Sequence, residues 1–198
     1  MIEYVKGTLA ELSPATAIIE AGGVGYELLI SLNSYTALQG KDAAKLFVYE
    51  SIREDAHLLY GFCTKEEREI FGMLVGISGI GGGTARMLLS AFAPAELASL
   101  ILNEDVRMIK SVKGIGPKAA QRIVVELRDK VQAMAQGSAP EAATKDRGTM
   151  TQAAKEAAGA LTTLGFPPAP VQKCVMAIVK QNPAATTEEI IKQGLKML

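Results

Sequence analysis

The most constraining feature of this sequence is a short glycine turn that occurs twice. Gly-Ile-Gly at residues 79–81 recurs at residues 114–116, 35 positions further along, and Ala85 is matched by Ala120. Each copy lies between two apolar segments with helical spacing, and 35 residues is about the length of one helix–turn–helix unit. The sequence therefore predicts a tandem pair of helix-hairpin-helix elements.

Turns of this kind are suited to binding phosphate. Glycine permits backbone angles that other residues avoid, its missing side chain lets an anion approach the main chain, and the following helix adds free N–H groups and the positive end of its dipole. Ile115 should point inward and fix the turn to the core. A single such turn is commonly only a tight connection, but the repetition favours a DNA-backbone site. The predicted DNA-binding residues are Gly79, Gly81, Gly82, Gly83, Arg86, Gly114, Gly116, Lys118 and Arg122.

The two copies differ after the second glycine. Gly82-Gly83 stands in the first copy where the second has Pro117 and Lys118. The first turn keeps its backbone donors but has no cation at this position, and Arg86, one turn further along, could compensate. We therefore expect the second copy to contribute more of the affinity.

Charge is distributed unevenly along the chain. The formal net charge is zero, but residues 1–62 carry four basic against eight acidic residues, whereas residues 107–130 carry seven basic against two acidic. A local basic patch can bind phosphate on an otherwise neutral molecule. Backbone contacts of this kind carry no base information, so binding should follow DNA shape rather than sequence.

The N-terminal segment, residues 1–63, is typical of a β domain. Five short segments rich in β-branched and aromatic residues are separated by turn residues, and a short helix is expected around Ser34–Leu38. This spacing fits a small OB-type barrel, and a fragment of a five-stranded sandwich is the alternative. The fold class expected for the whole chain is multidomain α+β.

Residues 64–134 should form the all-α domain that carries the two glycine turns. Thr64 and Glu67 have the spacing of a capping box at the start of its first helix. Pro94 occupies a first helical position, and Asn103 is a candidate cap for the next helix.

The remainder of the chain is predicted to be a flexible linker, residues 135–149, followed by a small three-helix, UBA-like domain, residues 150–198. The linker has almost nothing to bury, and Thr186 with Glu189 should cap the last helix. A domain of this size cannot hide every apolar residue, so partner binding is plausible. The candidates for a partner contact, with a role in the core as the alternative, are Leu161, Leu164 and Phe166.

Two adjacent carboxylates, Glu54 and Asp55, lie between two strand-like segments where a hairpin tip is expected. A solvated turn is the simpler interpretation. In a DNA-binding chain, an exposed acidic tip could also act by repulsion and keep phosphate backbones apart.

Several classes of function are disfavoured by what the sequence lacks. It has no apolar run of membrane-spanning length, no signal peptide and only two distant cysteines, which suits a reducing cytoplasm. No phosphate-binding loop for ATP occurs, and the single histidine, His57, with Cys63 and Cys174, suggests no metal cluster. No cofactor is therefore expected.

The combined motifs resemble the RuvA family of bacterial Holliday-junction-binding proteins over essentially the whole chain. The features that carry the resemblance are the barrel with GGVGYEL and REDAHLLYGF, the tandem turns GIGGGTA and GIGPKAAQRIVVEL, and the small helical end. The resemblance implies a homotetramer, or two tetramers forming an octamer, around an open four-way junction, with Glu54 and Asp55 as an acidic pin. It also implies that the C-terminal domain binds the hexameric ATPase RuvB and that RuvC is the resolvase partner. Gly82-Gly83 departs from the Pro-Lys that is typical of the family.

Two other interpretations remain open at the level of sequence. A helix-hairpin-helix DNA glycosylase or lyase would need a catalytic Asp or Lys in a base pocket, and Glu126 and Asp129 lie on a plain amphipathic helix. A protein-interaction scaffold with incidental DNA binding is disfavoured by the uneven charge.

Overall fold

The computed structural model describes residues 1–137 and 151–198 and divides the chain into two compact units, Met1–Pro140 and Glu141–Leu198. The linker expected at 135–149 lies outside the described residues except for its first three positions, which end a helix.

The first unit begins with a closed barrel whose strand order is β1-β2-β3-β5-β4. Only the short β3–β5 pairing is parallel, and the other neighbours are antiparallel. The five-stranded barrel and the α+β class predicted from the sequence are confirmed. Its elements are β1 (Tyr4–Leu12), β2 (Thr16–Ala21), β3 (Val24–Ile30), α1 (Leu32–Leu38), β4 (Ala43–Ile52) and β5 (His57–Phe62).

Alternation of side chains along the strands creates the barrel core. In β2, Ala17 and Ile19 are fully buried, as period-two spacing requires of an inward face. The barrel closes where β5 approaches β3, and Gly61 lies at this point. A Cβ on Gly61 would lie 3.0 Å from Leu28 Cβ and 3.2 Å from Leu46 Cδ1, so a larger residue would force the wall apart.

Five helices follow the barrel within the described part of this unit: α2 (Lys65–Val75), α3 (Gly82–Ala91), α4 (Pro94–Leu102), α5 (Val106–Lys110) and α6 (Pro117–Gly137). Pro94 begins α4 as predicted. The prediction that Asn103 caps the following helix is wrong, because Asn103 is the C-terminal cap of α4. Glu104 has a left-handed conformation (φ 56°), and α5 starts after it. Asp105 is the N-terminal cap of α5, and its side chain accepts from Met108 N at 3.1 Å.

The capping box predicted at the start of α2 is only half formed. Thr64 Oγ1 accepts a hydrogen bond from Glu67 N at 3.1 Å, but the Glu67 carboxylate does not return to Thr64. It accepts instead from the hydroxyls of Ser31 at 2.5 Å and Ser34 at 2.9 Å, because α1 of the barrel lies across the first turn of α2. Glu67 is 3% exposed, and this burial raises the pKa of its carboxyl group.

The core of the helices extends onto the barrel wall, which contributes Tyr60 and Phe62 to it, while the barrel interior has a core of its own. Phe71 of α2 packs against Tyr49, Tyr60 and Phe62 of the barrel, with ring centroids 5.1, 4.7 and 4.9 Å away. Aromatic pairs at these separations add to the energy of area burial. The α2 helix is therefore fixed on the barrel wall, and the first glycine turn follows it directly.

The described part of the second unit consists of α7 (Gln152–Thr163), α8 (Pro168–Gln181) and α9 (Thr187–Met197). The three helices surround a small core that includes Ala157, Val175 and Ile190. The capping box of Thr186 and Glu189 at the start of α9 is confirmed.

No single described helix is long and apolar enough to cross a membrane. Helices α3 and α4 meet the length and hydropathy criteria only as a pair bent by 97°. Their apolar residues, including Leu88, Leu89, Leu97 and Ile101, are buried in the core of the first unit.

Candidate nucleic-acid interface

The two glycine turns have the same backbone conformation. Gly79 has φ +89° and Gly114 has φ +90°, a region that residues with side chains rarely occupy. Ile80 and Ile115 are each 5% exposed, which confirms the predicted inward isoleucine of the second turn. The flanking glycines lie on the surface, so each turn presents bare backbone to the outside.

The second glycine of each turn has no steric role inside the protein. A Cβ built on Gly81 or Gly116 would meet no atom within 4 Å, and neither residue has a positive φ. Folding therefore permits a side chain at both positions. What the missing side chain provides is open access to the main chain from outside.

The helices that follow the turns begin without side-chain caps. Gly81 is the N-terminal cap of α3 and has no side chain to accept from the first amides. The carbonyls of Gly81 and Gly116 accept from Ala85 N and Ala120 N, both at 3.0 Å, which marks the two glycines as equivalent starting points. The first-turn N–H groups and the helix dipole at each turn are the groups with which a helix start can hold an anion, although Pro117 has no N–H to offer in α6.

The helix of each element contacts the turn region of the other element. Arg122 Nη1 donates to Ser78 O, immediately before the first turn, at 2.8 Å. Met87 of α3 reaches the second turn, where a Cβ on Gly114 would lie 3.4 Å from Met87 Cε. The structure thus brings both predicted turns together on one side of the first unit.

Arg86 and Arg122 were predicted from sequence as phosphate contacts, and the structure gives each an internal partner. Arg86 Nη1 donates to Ala15 O of the barrel at 3.0 Å, and Arg122 also lies 3.8 Å from Glu126. A guanidinium has five N–H donors, so one internal bond leaves others available. Lys118, by contrast, is exposed and has no ion pair within residues 1–137 and 151–198.

Gly82, which departs from the Pro of the second copy, has a structural explanation. A Cβ at this position would lie 2.3 Å from Tyr60 Oη, so the tyrosine occupies the space that a side chain would need. Gly83 has no neighbour within 4 Å of such a Cβ. The sequence contained no signal for the Tyr60 contact, because the two residues belong to different domains of the expected fold.

The acidic tip is a hairpin loop, as the sequence predicts. Ile52 pairs with His57, Arg53 N donates to Ala56 O at 2.8 Å, and Glu54 and Asp55 are exposed between them. Below the tip, a hydrogen bond with His57 at 2.9 Å lowers the pKa of the Glu50 carboxyl group. No three His, Cys, Asp or Glu side chains in the described chain are grouped so that they could hold a metal ion.

Comparison with known proteins assigns the family. The family model for the RuvA N-terminal domain matches residues 1–61, a SAM-like helix-hairpin-helix tandem matches 71–129, and the RuvA C-terminal domain matches 152–198. The proteins named Holliday junction branch migration complex subunit RuvA from Bacteroides thetaiotaomicron and Bacteroides fragilis are each 54% identical over 203 aligned residues, and that from Parabacteroides distasonis is 49% identical over 200. Each alignment covers all of both chains. This chain belongs to the RuvA family.

The helix-hairpin-helix match contains both glycine turns, and the RuvA C-terminal match contains the three predicted partner-contact residues. Leu161 is fully buried, and a Cβ on Gly194 would lie 2.8 Å from its Cδ1, which assigns it to the core. Leu164 is 62% exposed, and Phe166 is half-buried against the same core. Of the three candidates, only Leu164 and the open edge of Phe166 therefore present surface in this RuvA-family domain.

Proposed function

We propose that this chain is the non-catalytic DNA-binding subunit of a branch-migration complex, and that it holds four-way DNA junctions through their phosphate backbones. The relatives described above carry the name of a Holliday junction branch migration complex subunit. The proposal extends that role to this chain and assigns it to the paired glycine turns.

The observation that carries the proposal is the open space at Gly81 and Gly116. Nothing inside the protein requires glycine there, yet both positions begin helices whose first amides are uncapped. A phosphate oxygen that approaches these amides explains the missing side chains, since any Cβ would stand in its path. The amides reach the sugar–phosphate backbone rather than the base edges, so binding is independent of sequence.

Glu54 and Asp55 are assigned the opposite effect on DNA. Their tip lies at the end of the β4–β5 hairpin and holds two carboxylates that no described side chain pairs. Two unit charges about 6 Å apart repel by roughly 0.7 kcal/mol in bulk water and roughly 3 kcal/mol at an effective dielectric of 20. Several such tips at the centre of a junction would keep its strands separated.

Other subunits supply the remaining functions in this proposal. The second unit docks on the RuvB ATPase through the surface around Leu164 and Phe166, while Leu161 supports that surface from the core. The chain acts in the cytoplasm as a fourfold homotetramer, or as two tetramers around one junction, and RuvC resolves the product. ATP hydrolysis belongs to RuvB.

The test compares binding to a labelled four-way junction with binding to linear duplexes, by fluorescence anisotropy over a range of salt. We expect tighter binding to the junction, equal affinity for junctions of unrelated sequence, and a logarithmic salt slope of about 0.9 per phosphate neutralised. Equal affinity for junction and duplex would contradict the proposal. Lys180→Ala, an exposed lysine of the second unit, serves as the control and should bind like the wild type.

A repair enzyme would be detected in the same samples. Incubation with abasic or damaged duplex should give no cleaved product on a denaturing gel. The mass of the protein with and without the junction, from light scattering, decides between four and eight subunits.

A further inference from the structure

Arg53 lies at the base of the acidic tip and faces the first glycine turn. Together with residues 75–81, which include the end of α2 and the first glycine turn, it lines a shallow, open cleft of about 480 Å³. A second, smaller pocket of about 130 Å³ also contains Arg53, together with Gly81, Gly82 and Tyr60. The barrel hairpin and the first helix-hairpin-helix element thus share one open space.

The Arg53 side chain has no hydrogen-bond or ion-pair partner among the described residues. It is exposed, and no described carboxylate or carbonyl accepts a hydrogen bond from it, although Glu54 is its neighbour in sequence. Arg86 and Arg122, the other arginines near the turns, each donate to a backbone carbonyl. Arg53 therefore has all five guanidinium donors available for a ligand.

The first turn lacks the cation that the second turn has on its own helix. Lys118 is the second residue of α6, and the equivalent second residue of α3 is Gly83. An anion held by the amides at Gly81 would lie in the cleft that Arg53 lines. The missing positive charge is thus available from the barrel rather than from the helix.

We propose that Arg53 completes the first phosphate site by supplying the cation that Gly83 does not, and that the ligand is a phosphodiester of the DNA backbone. This inference rests on the proposed function and adds a residue from a different domain to the same site. It has a geometric consequence, because the phosphate contact is made one residue before Glu54. The acidic tip is thereby held at a fixed position along the bound strand.

The experiment measures binding of a labelled four-way junction by Arg53→Ala, Arg53→Lys and the double variant Arg53→Ala with Gly83→Lys. Arg53→Ala should weaken binding several-fold and lower the salt slope by about 0.9 for each phosphate that is no longer neutralised. Arg53→Lys should retain most of the slope. Gly83→Lys should restore the slope in the double variant, because a side chain at this position meets no atom within 4 Å of its Cβ.

Two matched controls separate a local site from a change in overall charge. Lys41→Ala removes an exposed barrel charge that does not line the cleft, and it should leave the slope unchanged. Gln39→Lys, combined with Arg53→Ala, adds an exposed charge elsewhere on the barrel and should not restore binding. Thermal melts confirm that each variant is folded.

Repulsion at the tip is tested separately in a background with Glu54→Gln and Asp55→Asn. If Arg53 binds phosphate, Arg53→Ala weakens binding in this background as well. If the effect of Arg53→Ala disappears in this background, Arg53 only neutralises the acidic tip and the inference is wrong. The inference is also wrong if Arg53→Ala binds like the wild type. It is wrong, too, if Gly83→Lys and Gln39→Lys restore binding equally. A wild-type chain that does not prefer the junction would instead refute the proposed function.

Discussion

The two glycine turns share one backbone and differ in almost everything around it. The φ angles of Gly79 and Gly114 agree within 1°, and the isoleucine of each turn is equally buried. The first turn follows α2, which is fixed on the barrel by Phe71, and it meets Tyr60 and Arg53 of the barrel. The second turn lies beside Met87 of α3, and the helix that follows it carries its own lysine, Lys118.

This difference separates the features of the turns that serve ligand binding from those that serve internal packing. The second glycine of each turn, Gly81 or Gly116, has no internal explanation and fits an external anion, as does the absence of a side-chain cap at the helix start. Features present in one copy, such as Gly82, are explained by a local neighbour.

The shared glycines give the largest expected effect on binding. Gly116→Val and Gly81→Val should each weaken junction binding roughly ten- to hundredfold, because a side chain would block a charge-assisted hydrogen bond worth about 1.5–3 kcal/mol. Gly116→Val should have the larger effect if the second copy contributes more affinity. Anisotropy titrations measure the weakening, and melting temperatures near that of the wild type would show that the fold is retained. Unchanged binding in both variants would show that the backbone at Gly81 and Gly116 does not contact the DNA.

Gly82 should matter for stability rather than for binding. Gly82→Ala places a Cβ 2.3 Å from the present position of Tyr60 Oη, and the forced movement should cost about 1–3 kcal/mol in the free energy of unfolding. Gly83→Ala is the matched control, because its Cβ has open space and alanine favours the helix. Urea denaturation measures both variants, and equal stabilities would argue against the role given to Tyr60.

The cations should give smaller, salt-dependent changes in affinity. Lys118→Ala should weaken binding by up to about fivefold, since exposed ion pairs contribute at most about 1 kcal/mol. Gly83→Lys in the wild-type background should strengthen binding by less than this, because Arg53 already lines the first cleft. Both changes should fade as salt is raised. A gain from Gly83→Lys as large as the weakening from Lys118→Ala would show that the first turn has no cation of its own.

The buried carboxyl group of Glu67, which joins α2 to the barrel, should make the stability of the protein depend on pH. Burial raises the pKa of Glu67 above its ordinary value of 4.5, so the folded state holds this proton more tightly than the unfolded state does. The resulting stabilisation is fully present below pH 4.5 and is lost as the pH rises through the folded-state pKa. The difference in unfolding free energy between wild type and Glu67→Gln should therefore fall over this range. A difference that stays constant with pH would contradict the raised pKa of Glu67.

Much of the fold was predictable because its signals are local. Period-two alternation located the strands, helical spacing and Pro94 located α4, and the spacing of Thr186 and Glu189 predicted a capping box that is present. The errors arose where a distant partner competed with a local one. Glu67 binds Ser31 and Ser34 instead of completing its capping box. These hydroxyls lie more than 30 residues away in the chain, so no local pattern could reveal them.

The paired turns follow from local sequence, because the left-handed glycine and the apolar residue that anchors each turn lie within a few neighbouring positions. The sequence could not determine where Arg53, Arg86 and Arg122 point. Their positions depend on how the barrel packs against the helices, through long-range contacts such as Phe71 against Tyr60. A long, flexible side chain binds whichever partner the packed core brings within its reach, and that depends on contacts between residues far apart in the chain.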